Sequence, residues 1–253
     1  MYNPYEQRFK NILADPLNEL IQRVPNAGQF IGNNVVMCNG LLVGKNSYYG
    51  KFSEILEINR GVHEPSEEFV FYEVIKSLNN PNPFMVELGS YWAYYSMCFL
   101  KENPNGKCFL LDENCDFLEV GKNHFEMNGF SGEFITSRVS NTGWKVDDFV
   151  KEKRIEKIDV LLSDIQGYET DMLDGAEETL KKFIVDYFFI STHTQEIHLS
   201  IIKKLIDFGY KIMASADFDN ETYCHDGIVI SCSPNVEYKQ YDLGNRSLDP
   251  KLK

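Results

Sequence analysis

Four acids, a glycine and a histidine stand beside apolar runs of this chain, where an α/β fold can put such groups to chemical use. Glu87 and Gly89 close the run FMVELG, Asp112 closes KCFLLD, and Asp164 closes IDVLLSD; His193 follows FIVDYFFIST, and Asp226 introduces GIVISCS. An acid-x-glycine turn after a strand lets backbone approach a nucleotide-like ligand where the next helix begins. An acid at the end of the second strand, about 20 residues further on, can accept both hydroxyls of a ribose lying across the sheet edge. The competing readings are an ordinary strand-to-helix turn and a solvated strand-end Asp. Asp164, His193 and Asp226 are candidates for proton chemistry at the same edge. Either neutral His193 acts as a base oriented by an Asp, or Asp164 and His193 share a divalent cation.

The elements that must position these groups are legible from Pro83 onward. Apolar strand-like runs alternate with segments of helical spacing, which predicts a Rossmann-like doubly wound α/β sheet of about seven strands, mostly parallel. No helix-sized gap separates the last two strands, YKIMASA and GIVISCS, so the final strand is expected to be antiparallel. Residues 1–81 lack this alternation. Helical periodicity around Tyr5 to Val24 and again over Glu64 to Leu78, flanking a glycine- and asparagine-rich middle, predicts a mainly helical N-terminal cap. Pro65 and Ser66 open the second helix, with Glu67 and Glu68 read as complementing the helix dipole or, alternatively, as a ligand contact. The catalytic domain is expected over 82–234, and 235–253 as a polar, loose tail.

Composition excludes several function classes. The chain has 253 residues, of which 43% are apolar, enough for one large core. Its 38 acids against 25 bases give a formal charge of −13, which opposes docking on nucleic acid or an anionic membrane surface. The six cysteines are scattered without CxxC or zinc-ligand spacing, and read as free thiols of a reducing, cytoplasmic compartment. The amino terminus shows no signal-peptide pattern, and no stretch is apolar enough to span a bilayer.

The stretch IDVLLSDIQGYETDMLDGA, together with VELGSYWAYYS and LLDENCDFLEVGKNHFEMNG, resembles the FkbM-type S-adenosylmethionine-dependent methyltransferases. Asn123 and Asn128 stand at that family's asparagine positions, and the resemblance spans roughly Glu64 to Cys232. VELGSYWAYYS is also similar to the nucleotide turn of catechol-type methyltransferases. The resemblance implies S-adenosylmethionine as cofactor, held by Glu87, Gly89, Ser90, Tyr91 and Tyr95, with Asp112, Glu113 and Asp164 completing its site. Ala93 stands where the family has glycine, a replacement that is tolerable if the backbone there keeps φ below zero. Ser163, Gln166 and Ser191-Thr192-His193 replace the family's usual Lys, Glu and Glu-x-His.

Methyl transfer from a sulfonium is an in-line displacement, so the acceptor oxygen must be aligned and its proton removed. Asp164, His193 and Asp226 are the expected catalytic groups; Gln166, Glu169 and His225 are the expected substrate contacts. A helix-capping role for His193 is the structural alternative. The expected activity is O-methylation of a hydroxyl on a sugar, glycan or other polyhydroxylated small molecule, with a divalent metal as a possible second cofactor. The alternatives are a catalytically weak S-adenosylmethionine-binding protein and a nicotinamide-dependent oxidoreductase, which would need a GxGxxG turn that this chain does not provide.

Overall fold

The computed structural model describes residues 4–253; the first three residues of the expected cap lie outside them. A seven-stranded sheet has the order β6-β5-β4-β7-β8-β10-β9. Its strands are β4 (Phe84–Leu88), β5 (Lys107–Asp112), β6 (Glu133–Thr136), β7 (Ile158–Ser163), β8 (Val185–Thr192), β9 (Lys211–Ala216) and β10 (Gly227–Cys232). The neighbours from β6 to β8 pair in parallel. The last strand inserts antiparallel between β8 and β9, as the missing helix-sized gap predicts.

Alternating side chains along each strand feed two cores. Met85, Val160 and Leu162 pack on one face of the sheet, while Val86, Leu88 and Leu161 pack on the other. Both faces are covered, so the strands read as continuous apolar runs rather than as alternation. The first face is covered by α3 (Pro65–Ser77), α4 (Tyr94–Glu102) and α5 (Cys115–Asn128). The second carries α6 (Val146–Lys153), α7 (Glu169–Asp174), α8 (Glu177–Lys181) and α9 (Gln195–Asp207). Helix ends follow local chemistry. The Asn114 side chain caps α5 by accepting from the Asp116 and Phe117 amides, and Gly129 ends it at φ +75°.

The N-terminal segment differs from the helical expectation. After α1 (Pro4–Ala14), the glycine- and asparagine-rich middle forms a three-stranded antiparallel sheet of β1 (Phe30–Ile31), β2 (Asn34–Val36) and β3 (Leu42–Gly44), then the short α2 (Glu54–Ile58) leads to α3. Its tight turns suit a small sheet, and Asn128 of α5 holds β3 by exchanging two 2.8 Å hydrogen bonds with Leu42. Ile12, Val35, Met37 and Leu56 of this segment share the core cluster of Met85 and Leu162, so cap and sheet form one core. The C-terminal stretch is also tied down, contrary to the expected loose tail. Leu243 is buried, the Tyr241 amide donates to Met213 O at 2.8 Å, and Tyr223 donates to Asp249 at 3.1 Å.

Candidate active site

The carboxyl ends of β4, β5 and β7 border two adjoining cavities, of about 150 and 240 Å³, which share a ridge of Tyr49, Gly89, Tyr91, Asp164 and Gln166. Leu111, Phe117, Val139 and Ile165 give the smaller cavity apolar walls, with Asp112 and Glu113 among them. The buried Asp112 carboxylate accepts from Tyr91 N at 3.0 Å through one oxygen and from Asn114 N at 2.8 Å through the other. Each oxygen keeps a second lone pair. Burial raises this carboxyl above its ordinary pKa despite those bonds. Arg138, also on this wall, pairs with Glu113 at 3.2 Å and stacks over the Tyr168 ring. Ser137 and Arg138 begin a polar stretch that runs along this cavity. Its far end, Trp144, packs on Phe109 and Phe149.

The turn after β4 is sharper than the sequence suggests. Gly89 has φ +74°, and a Cβ there would lie 1.8 Å from the Asp164 carbonyl oxygen, so its close approach is to the chain's own backbone. Ala93 has φ +61°, so the condition of a negative angle for an alanine in place of glycine is not met, and Tyr91 has φ 39°. The cause is the tight reversal between β4 and α4: the Ala93 amide donates to Ser90 O at 2.6 Å, and the chain can enter the helix only through left-handed residues.

The larger cavity is the more polar one. Glu87, Ser90 and Tyr95 reach it from the β4 turn and α4; Ser191, His225 and Asp226 reach it from the far edge. Glu87 is buried, accepts from the Ser96 amide at 3.0 Å, and is pushed up to about 8 by that burial. His193 lies behind Asp164 and Asp226. Its Nδ1 donates to Glu169 at 2.9 Å, while Nε2 stands 3.2 Å from Asp164 and 3.6 Å from Asp226. Burial disfavours the charged ring, but the Asp164 and Glu169 carboxylates outweigh it and push His193 up to about 10. The ring therefore keeps its proton at neutral pH, which opposes the neutral-base expectation. Asp226 is pushed up to about 7, first by burial and then by the neighbouring Asp164.

The expected residues separate accordingly. Glu87, Gly89, Ser90, Tyr91, Tyr95, Asp112, Glu113 and Asp164 all line the two cavities, and so do Gln166, His225 and Asp226. Glu169 does not: it is fully buried and holds His193 and the Gly167 amide, so it orients the histidine instead of touching a substrate. Thr194, not His193, caps α9 by accepting from the Ile197 amide. Arg8, Tyr48, His63, Glu64 and Glu67 line the larger cavity without having been singled out as site residues. Only the buried start of α3 carried a signal for them, in the acids Glu67 and Glu68. Glu68 accepts from the His63 and Glu64 amides and so serves the helix start, while Glu67 faces the cavity.

The mostly parallel doubly wound sheet carries two adjoining cavities at its carboxyl edge. The sequence profile of the methyltransferase FkbM domain matches residues 43–212, and the chain belongs to that family. Comparison with curated proteins found no match. Among solved structures, the METTL16 methyltransferase domain is similar at TM-score 0.50 with 11% identity, covering 67% of this chain and 68% of that one. An rRNA methylase from Streptococcus thermophilus gives 0.49 and 13% over 66% and 96%. TrmK from M. capricolum, solved with S-adenosyl-homocysteine, gives 0.46 and 18% over 69% and 71%.

Proposed function

We propose that this protein transfers the methyl group of S-adenosylmethionine to a hydroxyl of a sugar, glycan or other polyhydroxylated small molecule. The observation that carries the reading is the pair of cavities meeting at the Gly89–Asp164 ridge, one with Asp112 on apolar walls and the other with Asp226. Leu111, Phe117, Val139 and Ile165 suit an adenine, and the free lone pairs of Asp112 suit the ribose hydroxyls. Bound there, the cofactor supplies an electrophilic methyl group on a sulfonium.

The chain's own residues do the rest. Asp226, with a pKa near neutrality and a place on the larger cavity, takes the acceptor proton as the new carbon–oxygen bond forms. Glu169 holds His193, whose proton stabilises Asp164 and Asp226 side by side. Asp164, His193 and Asp226 also bring ligand atoms within 4.8 Å of one another, a donor set that suits Mg²⁺ or Mn²⁺. A divalent ion held there would acidify an acceptor hydroxyl. The charge of −13 supports a small acceptor over a phosphate backbone.

The test is calorimetry with S-adenosyl-homocysteine and NAD, followed by transfer of labelled methyl from S-adenosylmethionine to a panel of saccharides and polyols, with and without Mg²⁺ or chelator. Binding of the homocysteine compound alone, with label on an oxygen of one acceptor, is the expected result. Binding of NAD instead, or label found only on nitrogen or carbon, overturns the reading.

A further inference from the structure

Two buried ionisable side chains, both from the N-terminal segment, line the larger cavity, and each has one atom without a hydrogen-bond partner among the described residues. Glu67 is 2% exposed, and its Oε1 accepts no hydrogen bond from the described residues. Arg8 has a side chain 9% exposed. Its Nη2 donates to Tyr48 at 2.5 Å and lies 4.0 Å from Glu64, its guanidinium stacks 4.2 Å over Phe52, and its Nε has no acceptor among the described residues. A buried polar group left without a partner is costly, more so when charged, so residues of a cavity wall that carry such atoms mark a ligand position. Burial, together with the carboxylates of Glu64, Asp164 and Asp226, raises the Glu67 carboxyl well above the usual range. A cation beside it would relieve that.

A lone ammonium would satisfy Glu67 and leave the Arg8 Nε without an acceptor, and a lone carboxylate would do the reverse. An α-amino-acid group carries both charges on one carbon. The proposed cofactor has such a group at its methionine end, and the cavity holding Arg8 and Glu67 begins at Gly89, where the nucleoside cavity stops.

Resting on the cofactor reading above, we infer that the N-terminal segment is part of the cofactor site: Glu67 receives the α-ammonium of the methionine end, and Arg8 its α-carboxylate. The family match begins at residue 43, so Arg8 lies outside the matched domain. The same zwitterionic chemistry could come from an amino-acid-bearing acceptor, which the experiment separates.

Three ligands distinguish the charges in calorimetric titrations. S-adenosyl-homocysteine has both, decarboxylated S-adenosylmethionine has no carboxylate, and 5′-methylthioadenosine has neither. Glu67→Gln, which preserves shape, should weaken the first two by about 10- to 100-fold and leave the third within about 3-fold. Arg8→Gln should weaken only the first, and Arg8→Lys should restore part of it. Equal losses for all three ligands, or unchanged binding of S-adenosyl-homocysteine by Glu67→Gln, overturn the inference. The second of these is the result an amino-acid acceptor would give. If the unmodified protein binds none of the three, the cofactor reading itself has failed, and the inference falls with it.

Discussion

At the scale of single residues, two carboxylates divide the proposed labour, and each makes a separable prediction. Asp112→Asn keeps the shape of the side chain and removes the charge that would face the ribose hydroxyls. Affinity for S-adenosyl-homocysteine should drop about 10- to 100-fold by calorimetry, the loss expected for charge-assisted hydrogen bonds. Unchanged affinity would reduce Asp112 to a backbone anchor for Tyr91 and Asn114. Asp226→Asn should instead lower kcat by about 100- to 10,000-fold and leave cofactor affinity within a few-fold. The acid limb of the rate profile near pH 7, set by Asp226, should vanish with it. Full activity in that variant would remove Asp226 from proton transfer. The acids on strand ends were readable in the sequence because an apolar run fixes where its last residue emerges. Glu169 misled because its position at the start of α7 says nothing about which way the first turn faces; packing against His193 decides that. Arg8 and Glu67 sit in segments whose helical spacing was readable, but that spacing does not say that the cap brings them to the cavity; long-range packing does.

At the scale of elements, the reversal between β4 and α4 carries strain. Ala93 sits in the left-handed region at φ +61°, a conformation that costs a non-glycine residue about 1–2 kcal/mol. Its side chain is fully buried, and a Cβ built on Gly121 of α5 would approach the Ala93 Cβ to 3.1 Å, so there is no room for a larger residue. Ala93→Gly relieves the strain but frees the unfolded chain. A net gain of about 0.5–1 kcal/mol should appear in urea unfolding, with the slope unchanged. A loss of stability would show that the Ala93 methyl group contributes more through packing than its backbone costs. The parallel sense of the sheet and the antiparallel last strand were legible because helix-sized gaps dictate parallel crossovers and a short gap forbids one. The small β1–β3 sheet was not, because its strands, of two and three residues, are too short to show alternation.

At the scale of the whole molecule, the same buried acids make stability depend on pH in an unusual direction. Burial is the leading cause that pushes Asp15 up to about 6, Asp226 to about 7 and Glu87 to about 8. Each binds more protons folded than unfolded between about pH 4 and its folded pKa, so its contribution is complete below that interval and lost on rising through it. His193, pushed up to about 10 from an unfolded value near 6.5, loses its contribution over the next interval up. Glu68 opposes them on the acid side: burial raises it but His63 lowers it further, so its contribution is lost as pH falls through its depressed pKa. The ligand-free protein should therefore be most stable in mildly acidic solution, and its melting temperature should fall by about 5 °C or more between pH 6 and pH 9. Asp226→Asn should flatten the part of that slope below pH 7. Mg²⁺ or Mn²⁺ should flatten the part above it, because a cation replaces the His193 proton among the same ligands and binds better as that proton leaves. A melting temperature that holds level or rises toward pH 9 in the presence of chelator would mean that Asp164, His193 and Asp226 do not share a proton in the free protein, and the base assigned to Asp226 would have to be sought elsewhere on the cavity wall.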